Sequence, residues 1–360
     1  MEASQWLPSV RALADGEEAY LRALEAAAPF DPVAYAQALD LHRLMPWVEP
    51  AVLCDAGRAR LPAALVEAVA AGADTRQRRH DDLVRETLEV EDAYARAGIP
   101  CRHLKGLYFG RRFFGNPRRR HQRDVDVLVR ERDRDGALEA LERIGYVREA
   151  GEIKEGVVRW GMQRGYAQVD VHWNLRRRAR RRVDGEDLLA DPVSFELGGR
   201  TLATLPDDAT LTFLLLSLCG DLRRGACRAR HLVDLHLVLR GLGPGFDPEA
   251  FLARRKRQAL AMPCLNVLAV FLSLWGAAQE FPALAAAVLR RRRHVQIRGV
   301  DDALGLLTRP GGGEESRRWF RRAYPYNRID TWARRLTIDL PYHAMRLLPS
   351  QRFRLDEGIS

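Results

Sequence analysis

Residues 122–130 read QRDVDVLVR, and the fold class turns on this short run. Side chains of a β-strand alternate between its two faces, so Asp124 and Asp126 point one way while Val125 and Val127 point the other. Two carboxylates one residue pair apart repel each other and raise each other's pKa unless a cation lies between them; hard divalent cations prefer such oxygen ligands. Residues 168–173, QVDVHW, repeat the alternation, with Val169 and Val171 on one face and Asp170 and His172 on the other. If these strands are neighbours, Asp170 joins Asp124 and Asp126 around one metal site. A lone D-x-D is more often the solvated face of a half-buried strand. A second acidic strand face and an upstream Lys-Gly shift that balance. His172 reads as a polar residue on an open strand face and receives no catalytic assignment.

Outward from this core the chain changes character twice. Upstream, Ala-, Leu- and Glu-rich segments at 8–29, 32–44, 60–71 and 77–97 carry helical periodicity, which stops at Gly98-Ile99-Pro100. Strand candidates follow at 100–104, 123–130, 146–149, 156–162 and 165–173, with one helix at 133–144 that ends at Gly145. The last two strands should form a hairpin about Arg164-Gly165. After Pro206 the helical pattern returns, starting at Asp207-Asp208, a pair suited to a helix N-terminus. The expected architecture is α+β: an all-α region over 1–97, a mixed core over 98–205 and a second all-α region over 206–360. The segments 243–248 and 308–318 read as exposed connections.

Several motifs in fixed order carry a resemblance. They are HLKGLYFG at 103–110, RHQRDVDVLV at 120–129, ALEALERIGY at 137–146, QVDVHW at 168–173 and the weaker helical stretch RHLVDLHLVL at 230–239. Together, over roughly residues 83–240, they resemble the uncharacterised bacterial nucleotidyltransferases of the polymerase-β-like superfamily. That resemblance implies a small mixed β-sheet flanked by helices, binding an NTP and Mg²⁺ or Mn²⁺. Lys105 and Gly106 would lie at the turn that holds the triphosphate, and Arg120 would brace the site or contact phosphate. Asp124, Asp126 and Asp170 would hold the metal, with Asp170 also drawing the proton from the attacking hydroxyl. The expected reaction moves an NMP to an acceptor and releases pyrophosphate. The chain departs from the superfamily pattern in placing Leu107 after Gly106, where Ser or Thr is usual, and Gln122-Arg123 before the D-x-D. The arginines at 111, 112 and 118–120 could compensate at the phosphates or form an exposed basic loop.

Composition narrows the remaining choices. The formal charge is +10 over 360 residues, yet nearly all of it is Arg, with Lys only at 105, 154 and 256. Such a bias selects no partner by itself, and nucleic acid is not favoured because the aromatics are scattered through packed segments. Five dispersed cysteines without a C-x-x-C pair argue against structural zinc or a disulfide framework. The first residues lack a signal-peptide pattern, so a cytoplasmic location is expected. Residues 259–278 carry no charge over a length that could span a bilayer, but Pro263 and Asn266 lie inside; we read a buried helix and expect no membrane span. The acceptor, a small molecule, peptide or protein, is not legible, nor are the NTP, the oligomeric state or the roles of His172 and Asp234. A catalytically silent scaffold and an RNA-directed nucleotidyltransferase are the alternatives.

Overall fold

The computed structural model describes residues 3–27, 29–148, 159–164, 167–173, 185–258, 260–291 and Leu307. The helices that precede the sheet are α1 (Ala3–Ala12), α2 (Glu17–Ala26), α3 (Pro32–Leu41), α4 (Met45–Leu53), α5 (Asp55–Arg60), α6 (Ala63–Ala70) and α7 (Ala73–Ala97). The expected helix at 8–29 is two, because Gly16 takes a φ of 113° between them. Helix α3 starts where Asp31 accepts from the Val33 and Ala34 backbone N–H groups and Pro32 fills the first turn. Helix α7 stops at Gly98 in the left-handed conformation, where the periodicity ends.

The mixed region comprises β1 (Arg102–His103), α8 (Leu107–Arg112), β2 (Asp124–Leu128), α9 (Arg134–Glu142), β3 (Val147–Arg148), β4 (Arg159–Arg164), β5 (Ala167–His172), α10 (Gly185–Ala190), β6 (Val193–Leu197) and β7 (Arg200–Thr204). Among the described residues the sheet has seven strands in the order β3-β4-β5-β2-β1-β7-β6. Strand β2 runs parallel to β5 and β1 parallel to β7, and the other neighbours are antiparallel. The expected β4–β5 hairpin is present in register from Arg159↔His172 to Arg164↔Ala167; its turn residues 165–166 and the expected strand residues 156–158 lie outside the described residues. The β6–β7 hairpin was not anticipated. Each of its strands has only five residues, and its two inward side chains per strand leave little periodicity to read.

Both sheet faces are covered. Val125, Val127, Val129, Val169 and Val171 join the main core with Leu83, Val90 and Tyr94 of α7 and Leu138 and Leu141 of α9. Each such fully buried valine is worth about 1.5 kcal/mol or more over an exposed one. The opposite face, which carries the aspartates, is covered by a second apolar cluster that includes Leu104, Leu128, Leu205 and Phe213.

The chain then continues as α11 (Asp207–Arg224), α12 (Ala229–Leu242), α13 (Pro248–Arg257), α14 (Ala261–Trp275) and α15 (Pro282–Arg290). The uncharged stretch at 259–278 forms α14, which packs on α11, α12, α13 and α15 and buries Leu265, Leu268, Phe271 and Trp275. No described helix is long and apolar enough to cross a membrane. The connection expected at 308–318 lies outside the described residues.

Candidate active site

The register of β2 against β5 places Asp126 directly opposite Asp170, and Asp124 opposite Gln168. Because paired residues of adjacent strands share a face, Asp124, Asp126, Asp170 and His172 all project to the same side. Asp126 is 4% exposed and Asp170 3%, whereas Asp124, at the strand's first position, is partly accessible. Ligand atoms of Asp126, Asp170 and His172 lie within 4.8 Å of one another. That grouping brings together two of the three aspartates read from the sequence and adds the imidazole. Asp124 sits at its margin.

His172 therefore does not lie on an open face. Its ring is 7% exposed, it packs edge-on against Phe213 of α11 at 5.9 Å, and its Nε2–H donates to Asp126 Oδ1 at 3.1 Å. The alternation of residues 168–173 could indicate the side of the sheet but not that α11 covers it.

Lys105 and Gly106 follow the end of β1. Leu104 N–H still donates to Asp126 O at 3.1 Å, and Gly106 then turns the chain with φ 68° and ψ −124° into α8. A side chain there would meet only ordinary contacts, so the backbone angle is what demands glycine. The turn brings Lys105 Nζ to 3.1 Å from Asp126 Oδ2. Burial alone would raise the Asp126 pKa, but the Lys105 charge and the His172 hydrogen bond hold it well below the usual carboxylate range. Reciprocally, burial would lower the Lys105 pKa, and the charges of Asp126 and Asp124 raise it instead. A narrow cleft beside this pair is lined by Lys105, Gly106, Tyr108, Asp124, Asp126 and Phe195. Asp170 and His172 are not among its lining residues.

Arg120 lies on the approach to β2, 8% exposed, with its guanidinium forked onto Asp234 of α12: Nε to Oδ1 at 2.8 Å and Nη2 to Oδ2 at 2.8 Å. It also lies over the Phe109 ring at 5.4 Å. The geometry fits the bracing role and explains why α12 carries an aspartate on a buried face. Three other arginines of the 111–120 loop also face acids. Arg112 pairs with Asp207 at 2.7 Å, Arg119 with Glu17 at 2.7 Å, and Arg118 approaches Asp81 at 3.8 Å. Gly110 lets the loop close, since a Cβ there would fall 2.5 Å from Pro117 Cα.

Divalent-metal chemistry fits the donor set. Two buried carboxylates face each other across one strand pair, with a third on the same face, and Lys105 lies within ion-pair distance of Asp126. Carboxylate oxygens suit Mg²⁺ and Mn²⁺; an imidazole suits the softer Mn²⁺ better than Mg²⁺.

No curated protein sequence matches the chain. Two solved structures of the antibiotic-resistance factor ANT(2'')-Ia are similar at 14% identity. Its solution structure aligns over 59% of this chain and 98% of the other with a TM-score of 0.35; its crystal structure in complex with adenylyl-2''-tobramycin aligns over 49% and 97% with 0.36. A family model described as uncharacterised nucleotidyltransferase matches residues 28–276, most of the chain and all of the site just described. The motif order around Asp124 and the family match agree, and the chain belongs to this family of nucleotidyltransferase enzymes.

Proposed function

We propose that this enzyme transfers an NMP from an NTP to a hydroxyl of an acceptor molecule and releases pyrophosphate, using Mg²⁺ or Mn²⁺ held by Asp124, Asp126 and Asp170. The observation that carries the reading is the in-register pairing of Asp126 with Asp170 on buried parallel strands, beside Lys105 and His172. Nothing in the packing of a sheet calls for converging carboxylates, and burying them without a counter-charge is costly. The bound metal would supply Lewis-acid polarisation of the phosphoryl oxygens. The protein's own groups have distinct tasks. His172 fixes the orientation of Asp126 through Oδ1, and Lys105 supplies positive charge at Oδ2. Asp170 accepts the proton of the attacking hydroxyl, whose oxygen bonds to the α-phosphorus as the bond to the leaving pyrophosphate breaks. Arg120 holds α12 against the site through Asp234. We assign the regions flanking the 98–205 core, 1–97 and 206–360, both expected from the sequence to be helical, to acceptor selection.

Calorimetric titration with each of the four NTPs, in Mg²⁺ and again in Mn²⁺, tests the assignment. Binding of at least one, with a raised Tm that Asp124→Ala removes, is expected. Absence of metal-dependent binding by all four would favour the silent scaffold. Transfer itself is read by mass spectrometry of a cell extract incubated with the binding NTP, which also identifies the acceptor.

A further inference from the structure

The first turn of α12 carries a charge that the proposed chemistry has not used. Arg230 stands four residues before Asp234, one helical turn nearer the N-terminus and on the same face. Asp234 is clamped to Arg120, four residues before Asp124. That clamp presses the Arg230 face of α12 against the entry to β2. Unlike Arg112, Arg119 and Arg120, each engaged by an acid, Arg230 makes no hydrogen bond or ion pair among the described residues. Its Nε is buried, as are Nε of Arg228 and Nε2 of His121, all three without a hydrogen-bond partner.

The electrostatics agree with this placement. Burial, and then the charge of Arg120, lower the Arg230 pKa, while Asp234, Asp124 and Asp221 pull it upward. Arg230 is thus close enough to Asp124 to feel it, with Arg120 beside it. Burial followed by the Arg230 charge pushes His121 down to about 3 and His231 well below its usual value, so both rings are neutral near pH 7. What remains is a largely covered guanidinium with no acid of its own at the margin of a carboxylate site. A protein keeps such a group when an anion comes to it, because guanidinium forks match phosphate oxygens.

We propose that Arg230, backed by Arg228, binds the terminal phosphates of the nucleoside triphosphate, so that the C-terminal helices complete the nucleotide site. This rests on the nucleotidyltransferase chemistry proposed above. It also eases a difficulty in the sequence: Leu107 stands where a hydroxyl would normally hold phosphate, and Arg112, Arg119 and Arg120 of the basic loop that could have compensated are tied up in ion pairs.

The test is calorimetry on the full chain with Mg²⁺ and three probes: the NTP that the wild type binds, the corresponding NMP, and inorganic tripolyphosphate. Arg230→Gln is expected to weaken the NTP and tripolyphosphate tenfold or more and to leave the NMP within twofold; Arg230→Lys should recover part of the loss. Because the guanidinium has no partner to lose, the Tm of Arg230→Gln should be equal to or above that of the wild type. NTP affinity within twofold of wild type in Arg230→Gln overturns the assignment and leaves the nucleotidyltransferase chemistry standing. Failure of Arg230→Gln to fold, or a Tm lowered by several degrees, makes the residue structural and overturns it too. Wild-type protein that binds neither NTP nor tripolyphosphate overturns both.

Discussion

Replacing Arg120 with Met keeps most of the side-chain length and removes the guanidinium, which leaves Asp234, only 2% exposed, with neither of its two 2.8 Å donors. Removing one member of a buried pair costs about 3–5 kcal/mol, because the survivor stays desolvated and unpaired. Loss of the contact with Phe109 adds about 0.5–1 kcal/mol. Asp234→Leu should be at least as damaging, since it leaves Arg120 unpaired beside Arg230. The double variant replaces the pair with apolar groups of similar volume, and such replacements are often neutral. It should therefore lie within about 1–2 kcal/mol of the wild type, with a coupling between the two changes of roughly 3 kcal/mol or more. Urea unfolding followed by both far-ultraviolet circular dichroism and tryptophan fluorescence measures these differences and reveals whether the helical regions and the sheet unfold together. Arg120→Met within about 1 kcal/mol of the wild type, or a double variant as unstable as the summed singles, refutes the claim that this pair holds α12 to the sheet.

Asp170→Asn preserves size and hydrogen-bonding capacity but removes the charge, so NTP binding should stay within about tenfold, roughly 1.4 kcal/mol, while transfer falls by about a hundredfold or more; Asp124→Asn should lose both, and transfer near the wild-type rate in Asp170→Asn would remove Asp170 from the mechanism. His42 is buried, its Nδ1 accepts from the Ala229 backbone N–H at the start of α12, and burial followed by the Arg228 charge pushes its pKa from 6.5 to about 4. The unfolded chain takes the proton first. The contribution of His42 is therefore complete above about pH 6.5 and lost as pH falls toward 4, a loss of about 3 kcal/mol; urea midpoints from pH 7.5 to 4.5 should fall less steeply in His42→Gln than in the wild type, and parallel profiles would contradict this.

The alternation in QRDVDVLVR and QVDVHW is a local property, since every second side chain of a strand shares a face, so the two valine faces and the acidic faces behind them were legible in the sequence alone. So were the ends of helices marked by their own residues, as at Gly98 and Asp207-Asp208, and the buried helix around Phe271, whose apolar side chains are spread around its circumference. What the sequence could not hold was anything set by partners distant along the chain. The parallel register that sets Asp126 against Asp170 depends on how the segments between them cross over. Phe213 of α11 covers His172, and Asp126 of β2 gives it a carboxylate partner instead of solvent. Arg112, Arg119 and Arg120 looked available for phosphate until Asp207, Glu17 and Asp234 came to them from both helical regions. Arg230, in turn, carried no signal in the sequence, because a charge without a partner is defined by its surroundings. Periodicity and capping are written into neighbouring residues, whereas burial and charge compensation exist only once the chain has folded and the low-dielectric interior decides which ion meets which.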